Sequence, residues 1–282
     1  MTDTPNCVEC GGTVAPDGHC WDCGAARPAF RAHMEITAPC GAAGVSDRGL
    51  RRGVNADAMA LTVTGSWTVG VVCDGVSMAP RAERAAQVAA EAGAGVLVAR
   101  LDEGRLPEHA LEEAAARAGR AVAALAAADG APACTYLAGI AGPQGLWTAS
   151  IGDSRAYWLP EEGPAAALSE DDRGEHDALT AWLGAGAPDP EPRIRSLRPS
   201  GPGRLLLCTD GLTRYLPDAT ALRETLTRHG AGPGHGEDQL SAARALVGHA
   251  LHAGGADNVT AVCIPVAPPP PSRRQVVRST PA

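Results

Sequence analysis

The sequence predicts an α+β fold, because strand-like and helix-like segments occur in separate clusters, whereas a regular α/β protein alternates them. A central antiparallel β-sandwich flanked by helices on both faces, in α-β-β-α layers, satisfies this order. The hydrophobic share is 45% and the aromatic share only 3%, so Ala, Val, Leu and Ile must build the core. A chain of 282 residues is long enough to bury a substantial core.

The first half of this order is strands followed by helices. β-Branched residues bounded by glycine, aspartate or asparagine predict strands over 34–42, 56–64 and 66–73. Alanine-rich segments with Arg and Glu at helical spacing then predict helices over 79–99 and 107–128.

The second half returns to strands and ends on a helix and a strand. Strands are expected over 134–142, 146–153, 154–160, 204–211 and 258–266. We expect a helix over 176–183, a loop rich in Pro, Gly and Arg over 184–203, and a helix over 238–253.

Composition divides the chain into four parts. Residues 1–26 form a Cys/Gly-rich unit, 27–33 a linker, 34–266 the main domain, and 267–282 a Pro/Arg-rich tail that we expect to be disordered. The tail could also bind a partner groove as polyproline II.

Charge and hydropathy exclude several classes of protein. The net charge of −8 argues against general nucleic-acid binding, which needs a basic surface. The opening MTDTPNCVEC lacks the basic and apolar regions of a signal peptide. No apolar run approaches the roughly 20 residues of a membrane span. We therefore expect a cytoplasmic protein with no membrane association.

Four aspartates share one setting, an end of a predicted apolar strand; they are Asp74, Asp153, Asp210 and Asp257. If these strands are neighbours, the carboxylates converge and repel one another. Magnesium and manganese relieve such a conflict, since they prefer oxygen ligands. Gly75 lets the backbone approach, so that its carbonyl can also be a ligand.

A structural role is the alternative, because Asp-Gly is the commonest sequence of tight turns. One such aspartate favours a turn, and four favour a site. Upstream, Arg51 and Arg52 lie shortly before Asp57, which begins a strand. An arginine fork suits phosphate, because it donates two parallel hydrogen bonds; the alternative is a solvated pair in a loop.

Together these segments resemble the bacterial form of the protein phosphatase 2C family, the PPM-type metal-dependent phosphatases. The ordered series is SDRGLRRGVNADA, VVCDGVS, IGDSRAYW, LLLCTDGL and GGADNVTAV, and it covers roughly 34–266. The resemblance implies two packed antiparallel sheets with helices on both outer faces. It also implies hydrolysis of phosphoserine and phosphothreonine by a water molecule that two Mg or Mn ions activate. The implied substrates are proteins that bacterial Ser/Thr kinases have phosphorylated.

The resemblance assigns metal-binding roles to five residues. Asp74 would bridge two metals, and Gly75 would lend its carbonyl to the second. Asp210 and Asp257 would complete the first site. Asp153 resembles the ligand of a third, weaker metal.

It also assigns catalytic roles to Arg52 and Asp57, alongside Asp74, and a supporting role to Asn258. Arg52 resembles the arginine that holds the phosphate, and Asp57 the aspartate that supports metal-bound waters. Asn258 would position the strand that carries Asp257.

The chain departs from the family at two places. The triplet 55–57 reads Asn-Ala-Asp, so Ala56 replaces the usual glutamate, and Val76 stands where many eukaryotic members have histidine. The alternative function is therefore a catalytically weak or inactive member that binds phosphoproteins.

The N-terminal unit has two C-x-x-C pairs, formed by Cys7, Cys10, Cys20 and Cys23. This spacing predicts a closed, structural zinc site of the zinc-ribbon or zinc-knuckle type, whose metal supplies the folding energy. Disulfides and chance cysteine usage are the alternatives. The unit could dock a partner protein or nucleic acid.

Overall fold

The structure is a computed structural model that describes residues 7, 10–13, 20–23, 31–128, 130–187, 191–231 and 238–266. The predicted tail 267–282 and most of the predicted linker 27–33 lie outside the described residues. The four-part division of the chain therefore stays a prediction.

Two antiparallel sheets form the centre of the fold. The six-stranded sheet contains, in spatial order, β1 (His33–Thr37), β2 (Ala43–Asp47), β13 (Val259–Val266), β12 (Gly203–Cys208), β8 (Arg155–Pro160) and β9 (Ala166–Ala167). The five-stranded sheet contains β11 (Arg193–Leu197), β7 (Gly145–Ile151), β6 (Tyr136–Gly142), β4 (Trp67–Asp74) and β3 (Asp57–Thr64). A short pair is made by β10 (Leu183–Gly184) and β5 (Ala133–Cys134).

Helices cover the outer face of each sheet. The five-stranded sheet carries α1 (Ala82–Asp102) and α2 (Pro107–Ala123), and the six-stranded sheet carries α3 (Asp210–Thr213), α4 (Ala219–Arg228) and α5 (Gln239–His252). Apolar side chains fill three layers: one under each set of helices and one between the sheets. This confirms the predicted α-β-β-α sandwich.

Small side chains explain why α1 packs so closely on its sheet. Ala85, Ala86, Ala89 and Ala90 are buried against β3 and β4. Gly93 lies one turn further, where a Cβ atom would come 2.6 Å from the hydroxyl of Tyr136. The alanine richness that predicted a helix therefore also allows its close approach to the sheet.

Three sequence predictions differ from the structure. The single strand predicted over 34–42 is a hairpin, in which the amide of Gly41 bonds the carbonyl of Ala38 and β2 follows. The predicted helix over 176–183 was wrong: Glu175–Asp177 form one 3-10 turn, and His176 has a φ of 58°, which an α-helix does not tolerate.

The predicted loop 184–203 contains β11, an edge strand that pairs with β7. Exposed and partly buried residues alternate only weakly along β11, because it lies at the edge of the sheet. Its sequence therefore lacks the clear alternation of polar and apolar residues that predicts a strand. The helix α4 also lacked a sequence prediction. Among the helices of the described ranges, none has the length and apolar character that crossing a bilayer demands.

Candidate active site

The sheet registers bring the predicted aspartates to one end of the sandwich. In the five-stranded sheet, Asp57 at the start of β3 lies opposite Asp74 at the end of β4. In the six-stranded sheet, Cys208 at the end of β12 pairs with the start of β8 on one side and with β13 on the other. Asp153 precedes β8 and Asp210 follows β12. Antiparallel pairing therefore puts carboxylates from distant segments at the same edge.

Asp57 is the most deeply buried of these residues, with 1% of its surface exposed. Burial raises the pKa of Asp57 to about 7. The hydroxyls of Thr260 and Thr209 oppose this rise by donating to its Oδ2 at 2.7 Å and 2.8 Å. Its Oδ1 is buried and has no hydrogen-bond partner among the described residues.

Asp74 lies among carboxylates of like charge. Burial raises its pKa well above the ordinary value. The negative charges of four further residues act in the same direction, in decreasing order Asp57, Asp210, Asp153 and Asp257. The backbone amide of Asp74 donates to Thr135 Oγ1 at 2.9 Å, which fixes the end of β4. These five aspartates therefore share one electrostatic environment and form one aspartate cluster.

Two arginines neutralise the side of the cluster that Asp257 occupies. Arg52 donates through Nε and Nη2 to the two carboxylate oxygens of Asp257, both at 2.7 Å. Arg214 Nη2 lies 3.7 Å from Asp257 Oδ2 and 3.7 Å from Asp210 Oδ2. The hydrogen bonds to Asp257 raise the pKa of Arg52, so this fork stays cationic at the edge of the cluster.

Arg173 neutralises the other side, and the sequence analysis missed it. Its Nη2 lies 2.6 Å from Asp153 Oδ2 and 3.1 Å from Asp210 Oδ2, so a single guanidinium nitrogen joins two carboxylates. Burial raises the pKa of Asp153, with Asp210 acting the same way, while Arg173 opposes both. No local motif marks this arginine, because its partners lie on other segments.

Asn258 joins the strand β13 to the loop that carries Arg52. Its Oδ1 accepts from the amide of Ala56 at 2.8 Å. Its Nδ2 donates to the carbonyls of Arg48 at 2.8 Å and Val54 at 2.9 Å. This buried side chain satisfies three backbone groups of one loop.

Gly75 and Gly211, the glycines of two Asp-Gly pairs, lie where another backbone segment comes too close to leave room for a Cβ atom. A Cβ atom on Gly211 would lie 1.9 Å from the carbonyl oxygen of Asn258. A Cβ atom on Gly75 would lie 2.7 Å from the carbonyl carbon and oxygen of Ala82, where α1 begins. Neither glycine sits in a free hairpin turn, so the turn explanation of Asp-Gly does not apply here.

The chemistry of the cluster fits hard divalent cations. The side-chain atoms of the five aspartates that could bind a metal ion are all carboxylate oxygens, the ligand class that Mg²⁺ and Mn²⁺ prefer. The orphaned Oδ1 of Asp57 and the raised pKa of Asp74 indicate negative charge that the protein alone does not fully compensate. A bound cation would relieve this repulsion, and it would compete with the guanidinium groups of Arg52 and Arg173.

The cysteines form a second candidate metal centre. Cys7 and Cys23 have sulfurs 3.7 Å apart, and Cys10 and Cys20 have sulfurs 3.6 Å apart. Within the described ranges, this is the one group of three or more Cys, His, Asp or Glu side chains whose ligand atoms all lie within 4.8 Å of one another. Four sulfurs so close together fit a tetrahedral zinc ion.

The chain matches a model of one protein family. The model described as "Protein phosphatase 2C" matches residues 50–242, which include both Asp74 and Asp210. No curated protein sequence matches the chain closely enough to count as a relative.

Solved structures of bacterial phosphatases resemble this fold. The PPM Ser-Thr phosphatase MsPP from Mycobacterium smegmatis, in complex with cacodylate, has a TM-score of 0.62 and 25% identity, covering 80% of this chain and 98% of its own. The catalytic domain of the serine threonine protein phosphatase PstP, in complex with 2 manganese ions, has a TM-score of 0.61 and 26% identity, covering 83% and 98%. The S. agalactiae serine/threonine phosphatase, at 19% identity and a TM-score of 0.64, covers 83% and 100% and supports the fold alone.

Proposed function

Because this chain belongs to the protein phosphatase 2C family, a family of Ser/Thr phosphatases, we propose that it hydrolyses phosphoserine and phosphothreonine in other proteins with the help of Mg²⁺ or Mn²⁺. The single observation that carries the proposal is the convergence of Asp57, Asp74, Asp210 and Asp257 beside the fork of Arg52. The likeness to MsPP and PstP, both bacterial phosphatases, supports the same reaction class.

In this proposal the aspartates hold the cations. Asp74, the Gly75 carbonyl, Asp210 and Asp257 would be the ligands of two ions, and Asp153 would be the ligand of a third. When bound, such ions supply a water of lowered pKa and neutralise phosphate charge. The donor chemistry and the orphaned oxygen of Asp57 support this assignment.

The protein's own groups then bind and orient the phosphate. Arg52 presents a fork that already matches a planar carboxylate, and the same geometry suits two phosphate oxygens. Its cationic charge would stabilise negative charge on the phosphoryl oxygens during transfer. Asp57, fixed by Thr209 and Thr260, would accept hydrogen bonds from water in the site. Asn258 would keep the loop of Arg52 in register with Asp257.

The test is manganese-dependent hydrolysis of p-nitrophenyl phosphate and of a phosphothreonine peptide. We expect turnover with manganese, and a loss on the order of a hundredfold or more in Asp210→Asn, the scale for removing a charge-stabilising group from an active site. Glu112→Gln, an exposed position on α2, is the matched control and should keep full activity. Absence of turnover by the folded wild-type protein at saturating manganese would refute the proposal.

Ala56 motivates one alternative, an inactive family member that binds phosphoproteins. Its backbone still has partners, because its amide bonds Asn258 and its carbonyl accepts from Gly75. The missing side chain therefore removes a carboxylate without disturbing the loop. Calorimetry separates the two functions: tight binding of a phosphopeptide that stays intact in the presence of manganese favours the alternative.

We further propose that the cysteine unit holds one structural zinc ion and docks a partner protein. The sulfur geometry supports zinc. Trp21, which is 75% exposed beside two of the cysteines, supports a contact surface. Substrates of bacterial Ser/Thr kinases and a cytoplasmic location complete the proposal. Metal analysis of the purified chain tests the presence of the zinc ion. Fractionation of the source cells tests the cytoplasmic location.

A further inference from the structure

Arg173 lies in the segment between β9 and β10, and the backbone of that segment is fixed beside Asp153. The amide of Asp172 donates to the carbonyl of Gly152 at 2.9 Å, and the amide of Gly152 donates to Asp172 Oδ2 at 3.0 Å. Asp172 is buried, with 7% of its surface exposed. Because Gly152 directly precedes Asp153 and Asp172 directly precedes Arg173, these two bonds hold the arginine next to the aspartate.

Side chains of neighbouring strands fix the same segment. Arg193 on β11 donates through Nε to Asp172 Oδ1 at 2.7 Å. Arg155 on β8 donates to the two carboxylate oxygens of Asp171 at 2.7 Å and 2.8 Å. The two residues that precede Arg173 are therefore each bound by an arginine of a different sheet. The position of Arg173 follows from this scaffold and does not depend on its own ion pairs alone.

The guanidinium of Arg173 lies between two carboxylates of the aspartate cluster. Its Nη2 is 2.6 Å from Asp153 Oδ2 and 3.1 Å from Asp210 Oδ2. The side chain of Arg173 is 28% exposed, and those of Asp153 and Asp210 are 9% and 17% exposed, so solvent ions screen these contacts weakly. A cation that bound both carboxylates would need the place that this nitrogen takes.

The contacts of Arg173 differ in kind from those of Arg52. Arg52 uses two nitrogens to bind the two oxygens of one carboxylate, which is the geometry of a bidentate ion pair. Arg173 uses one nitrogen to join two carboxylates, so its charge acts there as a point charge. It thus does at Asp153 what the proposed function assigns to a third ion.

This contact opposes the third ion more than the other two. Arg173 and Arg214 both approach Oδ2 of Asp210, so an ion of the first site can bind through Oδ1 while Arg173 stays in place. At Asp153, in contrast, an ion must displace the closest contact that Arg173 makes in the cluster. The free energy of binding of that ion is therefore reduced by the loss of a charge-assisted contact.

We propose that Arg173 sets the affinity of the third-ion site, because its guanidinium competes with a divalent cation for Asp153. The inference rests on the proposed function, from which it takes the ions that the aspartates hold. It adds a residue that controls how many of these ions the chain retains at a given cation concentration. Since one nitrogen makes both contacts, the positive charge of residue 173 matters more than the shape of its side chain.

The experiment measures manganese binding to the full-length protein by isothermal titration calorimetry, without substrate. Arg173→Gln should lower the Kd of the most weakly bound ion by about tenfold, the change that one lost charge-assisted contact supplies. Arg173→Lys keeps the charge and should leave this Kd within about threefold of the wild-type value. The matched control is Arg195→Gln on β11, which removes the same charge from an exposed pair with Glu170 and should change the Kd by less than about twofold.

A double-variant cycle assigns the effect to Asp153. In Asp153→Asn the third ion loses its ligand, so adding Arg173→Gln should change the Kd of the remaining ions by less than about twofold. A tenfold gain that persists in the Asp153→Asn background would mean that Arg173 acts on the other ions through Asp210, which overturns the proposal. An unchanged Kd in Arg173→Gln overturns it too, and so does an equal gain in Arg173→Lys.

Failure of this inference and failure of the phosphatase function are recognised separately. Hydrolysis of p-nitrophenyl phosphate by the wild type reports the phosphatase function, whereas calorimetry without substrate reports the role of Arg173. Turnover by the wild type together with an unchanged Kd in Arg173→Gln overturns the present inference alone. Should Arg173→Gln fail to fold, Arg173→Met keeps an unbranched side chain without the charge, and the same tenfold gain is expected of it.

Discussion

Replacement of Asn258 should both lower stability and loosen the loop that carries Arg52. Its side chain makes three hydrogen bonds, of 2.8 Å, 2.8 Å and 2.9 Å, to backbone groups of Arg48, Val54 and Ala56. Only 5% of its surface is exposed, so water replaces these partners poorly. At about 1 kcal/mol for each bond, Asn258→Ala should lower the free energy of unfolding by about 3 kcal/mol.

The same change should weaken substrate binding more than turnover. Arg52 lies in the loop that Asn258 holds, and under the proposed function its guanidinium must keep its orientation to bind two phosphate oxygens. We therefore expect KM for p-nitrophenyl phosphate to rise by about tenfold or more, while kcat falls less. Urea unfolding, monitored by circular dichroism, and steady-state kinetics at saturating manganese measure the two effects.

A near-isosteric variant provides the sharper control. Asn258→Asp keeps the shape and the acceptor for the amide of Ala56, but it loses both donors and sets a negative charge against two carbonyl oxygens. It should be at least as destabilised as Asn258→Ala, because a buried unpaired charge costs more than a missing bond. An Asn258→Asp protein as stable as the wild type would refute the reasoning.

Three further outcomes are expected. Gly211→Ala should destabilise the chain by about 2 kcal/mol or more, because the added Cβ atom meets a backbone carbonyl. Gly248→Ala on α5 has open space around it and should be neutral or stabilising by up to about 1 kcal/mol. Urea unfolding compares the two variants. Burial opposes protonation of His33, but the hydrogen bonds and negative charges of Asp47 and Glu35 together outweigh it and raise the pKa of His33. The pair therefore stabilises the fold below about pH 6.5 and stops doing so as pH rises through the folded pKa, so His33→Gln should lower stability by under about 1 kcal/mol at pH 5.5 and not at pH 9. Cys10→Ser should reduce zinc from one equivalent to a small fraction, measured by mass spectrometry of the intact metal complex, and an unchanged zinc content would exclude the four-cysteine site.

The sequence indicated the carboxylates and the fold class because both depend on local patterns. Asp74 and Asp210 each lie at the end of an apolar strand and precede glycine, and the alanine-rich helices carry Arg and Glu at helical spacing. The family and the α-β-β-α layers were confirmed. That these carboxylates bind metal stays a prediction, which the experiments above address.

Only the tertiary structure decided which groups neutralise the carboxylates. Arg173 reaches Asp153 and Asp210, and Thr209 and Thr260 reach Asp57, across separations that no local motif encodes. Such contacts follow from strand order and register, which depend on the packing of the whole sandwich. The sequence determined what chemistry the chain carries, and the pairing of distant strands decided which charges meet, because electrostatic interaction depends on distance in space and not on distance along the chain.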